Sequence, residues 1–324
     1  MTGESRAIAI DVGGSKIAAG LVDVATGKVT ERRHAATAAS RGGDAVLADV
    51  VRLVAELSAV SAEQTSAVGI AVAELVDLHE KIQSEQTIGW RGLDLAEAVR
   101  VAGRSVVVSS DVRAGALAES RLGAGLSKDP FVYVSVGSGI SSTLVIGQRP
   151  YSGARGNAIV AASGTFTHTC PACSEVVRIV PEQVASGHGM IERFLQMHPG
   201  TAVESVVDIA AAAASGDVDA ATVLGQGGRM LGVIVARLVD VLDPEAVVVG
   251  GGLGLGLGLR HGAEGGDYHD GFVTAVRSHI WAENGRDVPI LPAALGVDAV
   301  LIGAAITAAD GPRMAEASET EAGV

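Results

Sequence analysis

Aromatic side chains are scarce in this 324-residue chain, where Phe, Trp and Tyr together make up 3% of the residues. The core must therefore be built from Ala, Val, Leu and Ile. At 48% hydrophobic residues, the chain is globular and not disordered. Cysteine is nearly absent: Cys170 and Cys173 form a single C-x-x-C. That excludes a disulfide scaffold and makes a reducing cytoplasm the expected compartment. Positive charge is also short, with 24 Lys and Arg against 37 Asp and Glu, a net of −13. A nucleic-acid or anionic-membrane surface needs clustered cations, so neither partner is expected. A phosphate ligand stays open, because backbone N–H groups bind anions without net positive charge. Uninterrupted apolar runs are missing as well. The most apolar helical piece, LGVIVARLVDVL (231–242), is broken by Arg237 and Asp240, and the N-terminus MTGESRAIAIDVGG has no signal-peptide pattern. No membrane span and no secretory signal are expected.

What the chain has in quantity is glycine, 43 residues clustered where apolar runs end. Such clusters mark tight turns close to ligands. AIAIDVGG and SKIAAGLVD read as two strands around a glycine turn, with a third near KVTERRHAA. The pattern continues as a helix over 43–60, a strand over 66–77, a helix over 93–103, and SVVVSS leading into DVRAGALAE. The order then begins again with FVYVSVGSGISSTLVIGQRPY (131–151). A long loop reaches about 188. A helix over 219–243, a strand over 246–252, a helix over 270–283, a strand over 288–295 and a helix over 298–310 follow. The reading is two similar units, residues 1–120 and 121–297, with the closing helix packing back on the first. Residues 250–271 read as a mobile glycine-rich loop, and 311–324 as a flexible tail.

Three motifs carry chemistry. DVGGSK (11–16) ends a strand in a carboxylate and offers two glycines whose neighbouring N–H groups can face an anion; an ordinary hairpin turn reads the same way. It does not match the P-loop pattern. VGSGISS (136–142) repeats the arrangement, and two such turns can clamp a polyphosphate from both sides. DPEAVVVGGGLG (243–254) lets backbone approach a flat base or ribose. Asp111, where SVVVSS hands over to a helix, reads either as a helix N-cap or as a catalytic carboxylate.

Taken together, these motifs resemble the ROK sugar kinases and repressors, from AIAIDVGGSKI to VPILPAALGVDAVLIGAA. The resemblance implies a two-domain actin-like ATPase (ribonuclease H-like) α/β fold. Each domain would be a mixed five-stranded sheet with flanking helices, and nucleotide and sugar would lie between them. It implies that Asp111 is the general base toward a primary hydroxyl, a role that can coexist with capping. ATP and Mg²⁺ are the implied cofactors, with Asp11 orienting the metal through water. Gly13, Gly14, Ser15, Lys16, Gly137, Ser138 and Gly139 would hold phosphates, and Gly250, Gly251 and Gly252 would border the adenosine. A homodimer is implied by resemblance alone.

The chain also departs from the family. Ser110 and Arg113 stand where Asn flanks the catalytic Asp. In GARGNAIVAAS (153–163), Val160 and Ser163 replace the family's sugar-binding Glu and His. Glu74 projects where Gly is usual, and Gln86 occupies an Asn position. Trp90 is kept and reads as packing. Ser141 and Ser142 replace glycines beside the second turn. The family zinc ligands fall on Ser163, Cys173, Glu175 and Val180, so structural zinc is not expected. His168, Cys170 and Cys173 are an alternative cluster. Glu182 keeps the family's sugar-binding carboxylate. Ser110, Glu182, Glu74, Gln86, Arg113 and Ser163 are therefore the candidate substrate residues. The expected activity is phosphorylation of a primary hydroxyl on an unusual sugar-like molecule, an aminosugar or C7-cyclitol, since a site built for hydroxyls discriminates by them. An inactive sugar sensor and a glucokinase with a rebuilt pocket are the alternatives. The first phosphate hairpin begins by residue 7, so no helix-turn-helix module is expected before it.

Overall fold

Runs of Ile, Val and Ala bounded by Gly, Asp and Ser become strands, and stretches with apolar residues three and four apart become helices. The computed structural model describes residues 6–61, 65–100, 104–257 and 266–311. In chain order the first elements are β1 (Arg6–Val12), β2 (Lys16–Asp23), β3 (Val29–Ala36), α1 (Gly43–Ser61), β4 (Thr65–Val72), α2 (Leu95–Ala98), β5 (Ser105–Ser110) and α3 (Asp111–Leu122). Next come β6 (Phe131–Val136), β7 (Ile140–Ile146), β8 (Arg149–Pro150), β9 (Phe166–Thr169), β10 (Val176–Ile179), α4 (Glu182–Ala185), α5 (Gly187–Met197) and α6 (Val206–Ala214). The chain closes with α7 (Val218–Leu242), β11 (Ala246–Gly250), α8 (Gly252–Gly256), α9 (Asp267–His279), β12 (Ile290–Pro292) and α10 (Ala299–Asp310). Two five-stranded sheets result, ordered β3-β2-β1-β4-β5 and β12-β11-β6-β7-β8. Each mixes antiparallel and parallel pairs, as the mixed α/β expectation requires.

The chain divides into two compact units: residues 1–126, 148–158 and 297–324 in the first, and 127–147 and 159–296 in the second. In the first unit, β1, β4 and β5 run parallel, and their register aligns Asp11 with Ala71 and Ala71 with Ser109. One face of this sheet packs on Val46, Val50, Leu53, Val54 and Leu57, the inward stripe of α1. Burying each such side chain stabilises by roughly 1.5–3 kcal/mol. On this unit α10 lies against β1, β4 and α3. In the second unit Val132, Val134, Val247 and Val249 meet Leu231, Val235 and Val239 of α7. By length and composition α7 could cross a membrane, but 67% of its most apolar window is buried inside the protein, which makes it a core helix. Asp217 caps it, accepting N–H bonds from Asp219 (2.9 Å) and Ala220 (3.0 Å).

Some elements differ from the sequence expectation. The expected 93–103 helix is the four-residue α2 among the described residues. The stretch expected to be loop up to 188 holds the β9–β10 hairpin, α4 and the start of α5. In 250–271, α8 and the start of α9 replace the ends of the expected glycine-rich loop, and its remaining residues 258–265 lie outside the described ones. The expected tail beyond Gly311 also lies outside them.

Candidate active site

In the first unit three carboxylates gather at the carboxyl ends of adjacent parallel strands. Asp11 is the penultimate residue of β1, Glu74 follows β4 by two residues, and Asp111 follows β5 directly. Ligands of open α/β sheets bind at this edge. Asp111 is not the N-cap of α3: that position is Ser110, whose side chain makes no capping bond, and Asp111 is the first helical residue. Its Oδ1 accepts the N–H of Val112 at 2.6 Å. Burial raises the Asp111 carboxyl to about 6, opposed by that hydrogen bond and reinforced by the charge of Glu74. Asp11 is raised to about 7 by burial and then by the charge of Asp111, while Lys16 acts in the opposite direction.

The first glycine turn is closed on itself. The N–H of Gly13 donates to the Lys16 carbonyl at 3.1 Å. Thr37, the residue after β3, holds the turn, with Oγ1 donating to the Gly13 carbonyl at 2.7 Å and its N–H to the Ser15 carbonyl at 3.1 Å. The N–H groups of Gly14 and Ser15 donate to no protein group among the described residues, and successive free amides in a turn form an anion-binding concavity. Nothing in the sequence points to Thr37, because its partner lies 24 residues away and only the β2–β3 register places it there.

The substrate-side candidates of this unit have defined partners. Glu74 is buried and accepts from Ser84 Oγ and from the N–H groups of Gln86, Thr87 and Ile88. Gln86 is exposed, its backbone held by Glu74. Arg113 donates to the carbonyls of Val76 (2.6 Å) and Gly156 (3.3 Å), so its guanidinium fastens two backbone segments. Ser110 is buried at the end of β5. Trp90 is 3% exposed and packs in the core of this unit.

The second unit repeats the turn. The Gly137 N–H donates to the Gly139 carbonyl at 2.9 Å, and the N–H groups of Ser138 and Gly139 donate to no protein group among the described residues. Here the start of α5 supplies the support: Gly187 N–H donates to the Gly137 carbonyl (2.9 Å) and His188 N–H to the Ser138 carbonyl (3.2 Å). The signal for α5 was the serine of ASGHG, whose hydroxyl caps the helix by accepting from Gly189 N–H at 3.1 Å. Glu182 and Ser163 come together: Glu182 Oε2 accepts from the Ser163 hydroxyl, and Oε1 from Ile140 N–H, both at 2.7 Å. A Cβ on Gly139 would stand 2.7 Å from that Oε1, so a side chain there would displace the Glu182 carboxylate from its place beside the turn. Gly250 and Gly251 are fixed by packing, since a Cβ would meet Tyr133 Oη at 2.4 Å or the Val136 carbonyl at 2.3 Å, whereas Gly252 faces open space.

Cys170 and Cys173 sit at the turn of the β9–β10 hairpin as free thiols. Backbone N–H groups of Cys173 and Ala172 hold the Cys170 thiol below its usual range. Among the described residues, His168, Cys170 and Cys173 form no group spaced for a metal. His198, Asp217 and Asp219 do, with ligand atoms within 4.8 Å of one another.

Known proteins resemble the chain as a whole. The model of the ROK family matches residues 7–310. The bifunctional enzyme NanE/NanK of Brucella suis biovar 1 (strain 1330) is 32% identical over 94% of this chain and 53% of its own length. The chain thus spans about half the length of that relative. The glucokinase of Streptomyces coelicolor is 28% identical, over 92% of this chain and 96% of its own. Among solved structures, a ROK family glucokinase from Streptomyces griseus in complex with glucose and AMPPNP superposes with a TM-score of 0.75. It is 28% identical, covering 95% of this chain and 100% of that one.

Proposed function

This chain belongs to the ROK family, and from that membership we propose that it is an ATP-dependent kinase acting on a primary hydroxyl of a sugar-like acceptor. The observation that carries the reading is Asp111, held at the carboxyl edge of the first sheet with its carboxyl raised to about 6. A base so placed is ionised at neutral pH yet basic enough to accept a proton as phosphoryl transfer proceeds. Asp111 takes the hydroxyl proton, the acceptor oxygen bonds to the γ-phosphorus, and the bond to the β–γ bridging oxygen breaks to release ADP. The free amides of Gly14 and Ser15 in one unit, and of Ser138 and Gly139 in the other, suit phosphate oxygens. Asp11 and Asp111 hinder each other's ionisation, and such a carboxylate pair fits a divalent cation. Mg²⁺, when bound with the nucleotide, would offset charge on the phosphates, with Asp11 holding it through water.

The acceptor class is narrower than glucose. Val160 is exposed where a family member has Glu, and Ser163 is turned onto Glu182 where a family member has His. A pocket without that carboxylate and imidazole favours an aminosugar or C7-cyclitol. The test is ADP release from Mg-ATP against hexoses, aminosugars and C7-cyclitols, with Asp111→Asn in parallel. Turnover of one acceptor, lost in the variant, supports the reading. ATP binding without turnover of any acceptor moves the protein to the class of sugar sensors.

A further inference from the structure

The carboxylate of Glu74 has an unusual set of partners. It is 6% exposed and lies just past the end of β4. Its Oε1 accepts the N–H groups of Thr87 (2.7 Å) and Ile88 (3.1 Å), and its Oε2 accepts the N–H of Gln86 (3.0 Å) and the Ser84 hydroxyl. Ser84 Oγ in turn accepts the N–H of Leu75 at 2.9 Å. Four donors fill the lone-pair capacity of one ionised carboxylate. Residues 86–88 belong to no strand, so Glu74 does for three consecutive amides what a neighbouring strand does elsewhere.

The segment held in this way reaches the first glycine turn. A Cβ placed on Gly14 would meet Thr87 Cγ2 at 3.1 Å, so Thr87 rests against the first glycine turn. Gln86, next in the chain, presents an exposed side chain. Ile88 and Trp90 are buried in the core and anchor the far end. The Glu74 charge is also close enough to Asp111 to act on it.

We propose that Glu74 is a positioning residue: its carboxylate fixes residues 84–88 as the acceptor-side wall of the site, seated on Gly14 beside Asp111. This rests on the kinase reading for what the wall faces, but not for how it is held. A carboxylate is required. The amide of Gln offers one acceptor oxygen, and its NH₂ would confront backbone N–H donors. Asp is one methylene shorter and cannot span the same donors.

Two measurements test this on the full chain with Glu74→Gln. The first is hydrogen exchange at the amides of Gln86, Thr87 and Ile88, which should quicken at least about tenfold while β1 and α1 amides stay protected. The second is calorimetric binding of AMPPNP, and of glucose and N-acetylmannosamine in its presence. Sugar affinity should fall about tenfold or more and AMPPNP affinity by less than about threefold, a split that general destabilisation would not produce. Ser84→Ala, which removes one donor of four and leaves the carboxylate, should shift both readouts the same way by about fivefold or less. Unchanged protection at 86–88 overturns the proposal. So does lost protection with equal losses for sugar and nucleotide. A wild-type protein that binds neither sugar overturns the acceptor-side assignment together with the kinase reading for those sugars, and the exchange result then shows whether Glu74 holds the segment.

Discussion

Asp11 at the end of β1 and Asp111 at the start of α3 oppose each other's charge, and Asp11 is driven to about 7 as a result of burial and that repulsion. The folded protein therefore retains a proton at Asp11 that the unfolded chain has released. For a carboxyl raised on folding, the contribution to stability falls as pH rises from the ordinary value of 3.8 and is fully lost above about 7. Without nucleotide or divalent cation, Asp11→Asn should raise the melting temperature at pH 8 and have little effect near pH 4. At about 1.4 kcal/mol per pK unit, discounted because the Asp11 residue as a whole is only partly buried and water screens its charge, a gain of roughly 1–2 kcal/mol or about 2–8 °C is expected. Calorimetry at the two pH values decides it, and a melting temperature lowered at pH 8 contradicts the charge repulsion.

Asp111→Asn should cut turnover by about 10²–10⁴-fold, the usual range for a general base, and leave nucleotide affinity nearly intact. In the wild-type protein the rate should fall on the acid side of about 6, as the Asp111 carboxyl takes up a proton. The variant's residual rate should lack that acid limb. A pH profile that keeps the limb in Asp111→Asn assigns it to another group.

Gly251 has φ +83°, and a Cβ there would stand 2.3 Å from the Val136 carbonyl. Both the backbone conformation and the contact exclude a side chain. Gly251→Ala should lower stability by roughly 2–4 kcal/mol, read as a lower midpoint in urea with an unchanged slope. Gly252→Ala, facing open space, should change the midpoint by less than about 0.5 kcal/mol of stability.

The sequence revealed what depends on local pattern. Asp11 and Asp111 stood out because each ends an apolar run, and the two glycine turns because their spacing repeats. The framework of strands and long helices followed from the same periodicities. What it could not show depends on partners far along the chain. Thr37 reaches Gly13 only through the β2–β3 register, and Arg113 reaches a carbonyl 43 residues away. Asp111 carried two readings because capping is decided by backbone geometry, which places Ser110 and not Asp111 at the cap. The β9–β10 hairpin leaves no signature in the sequence, because all eight of its strand residues are exposed and no buried face imposes an alternating pattern. Glu74 stands out in the sequence where Gly is usual, but only the fold shows that its oxygens serve backbone amides.

Glu182 makes a contrasting case to Glu74, and the contrast is itself testable. Its partners are one backbone donor, Ile140 N–H, and one hydroxyl, Ser163, each 2.7 Å away. In Glu182→Gln the amide oxygen can keep the Ile140 bond while its NH₂ donates to Ser163 Oγ, which accepts as readily as it donates. The fold should be unaffected, with a melting temperature within about 2 °C of wild type. Glu182→Ala instead leaves the Ile140 N–H without its acceptor and should cost about 1–3 kcal/mol. If Glu182 also serves sugar hydroxyls, as the kinase reading has it, Glu182→Gln should weaken sugar binding about tenfold without this loss of stability. Thermal melts and sugar titrations on both variants separate the two roles. Equal destabilisation by Gln and Ala would mean that the charge itself, and not the pair of hydrogen bonds, holds the second turn in place.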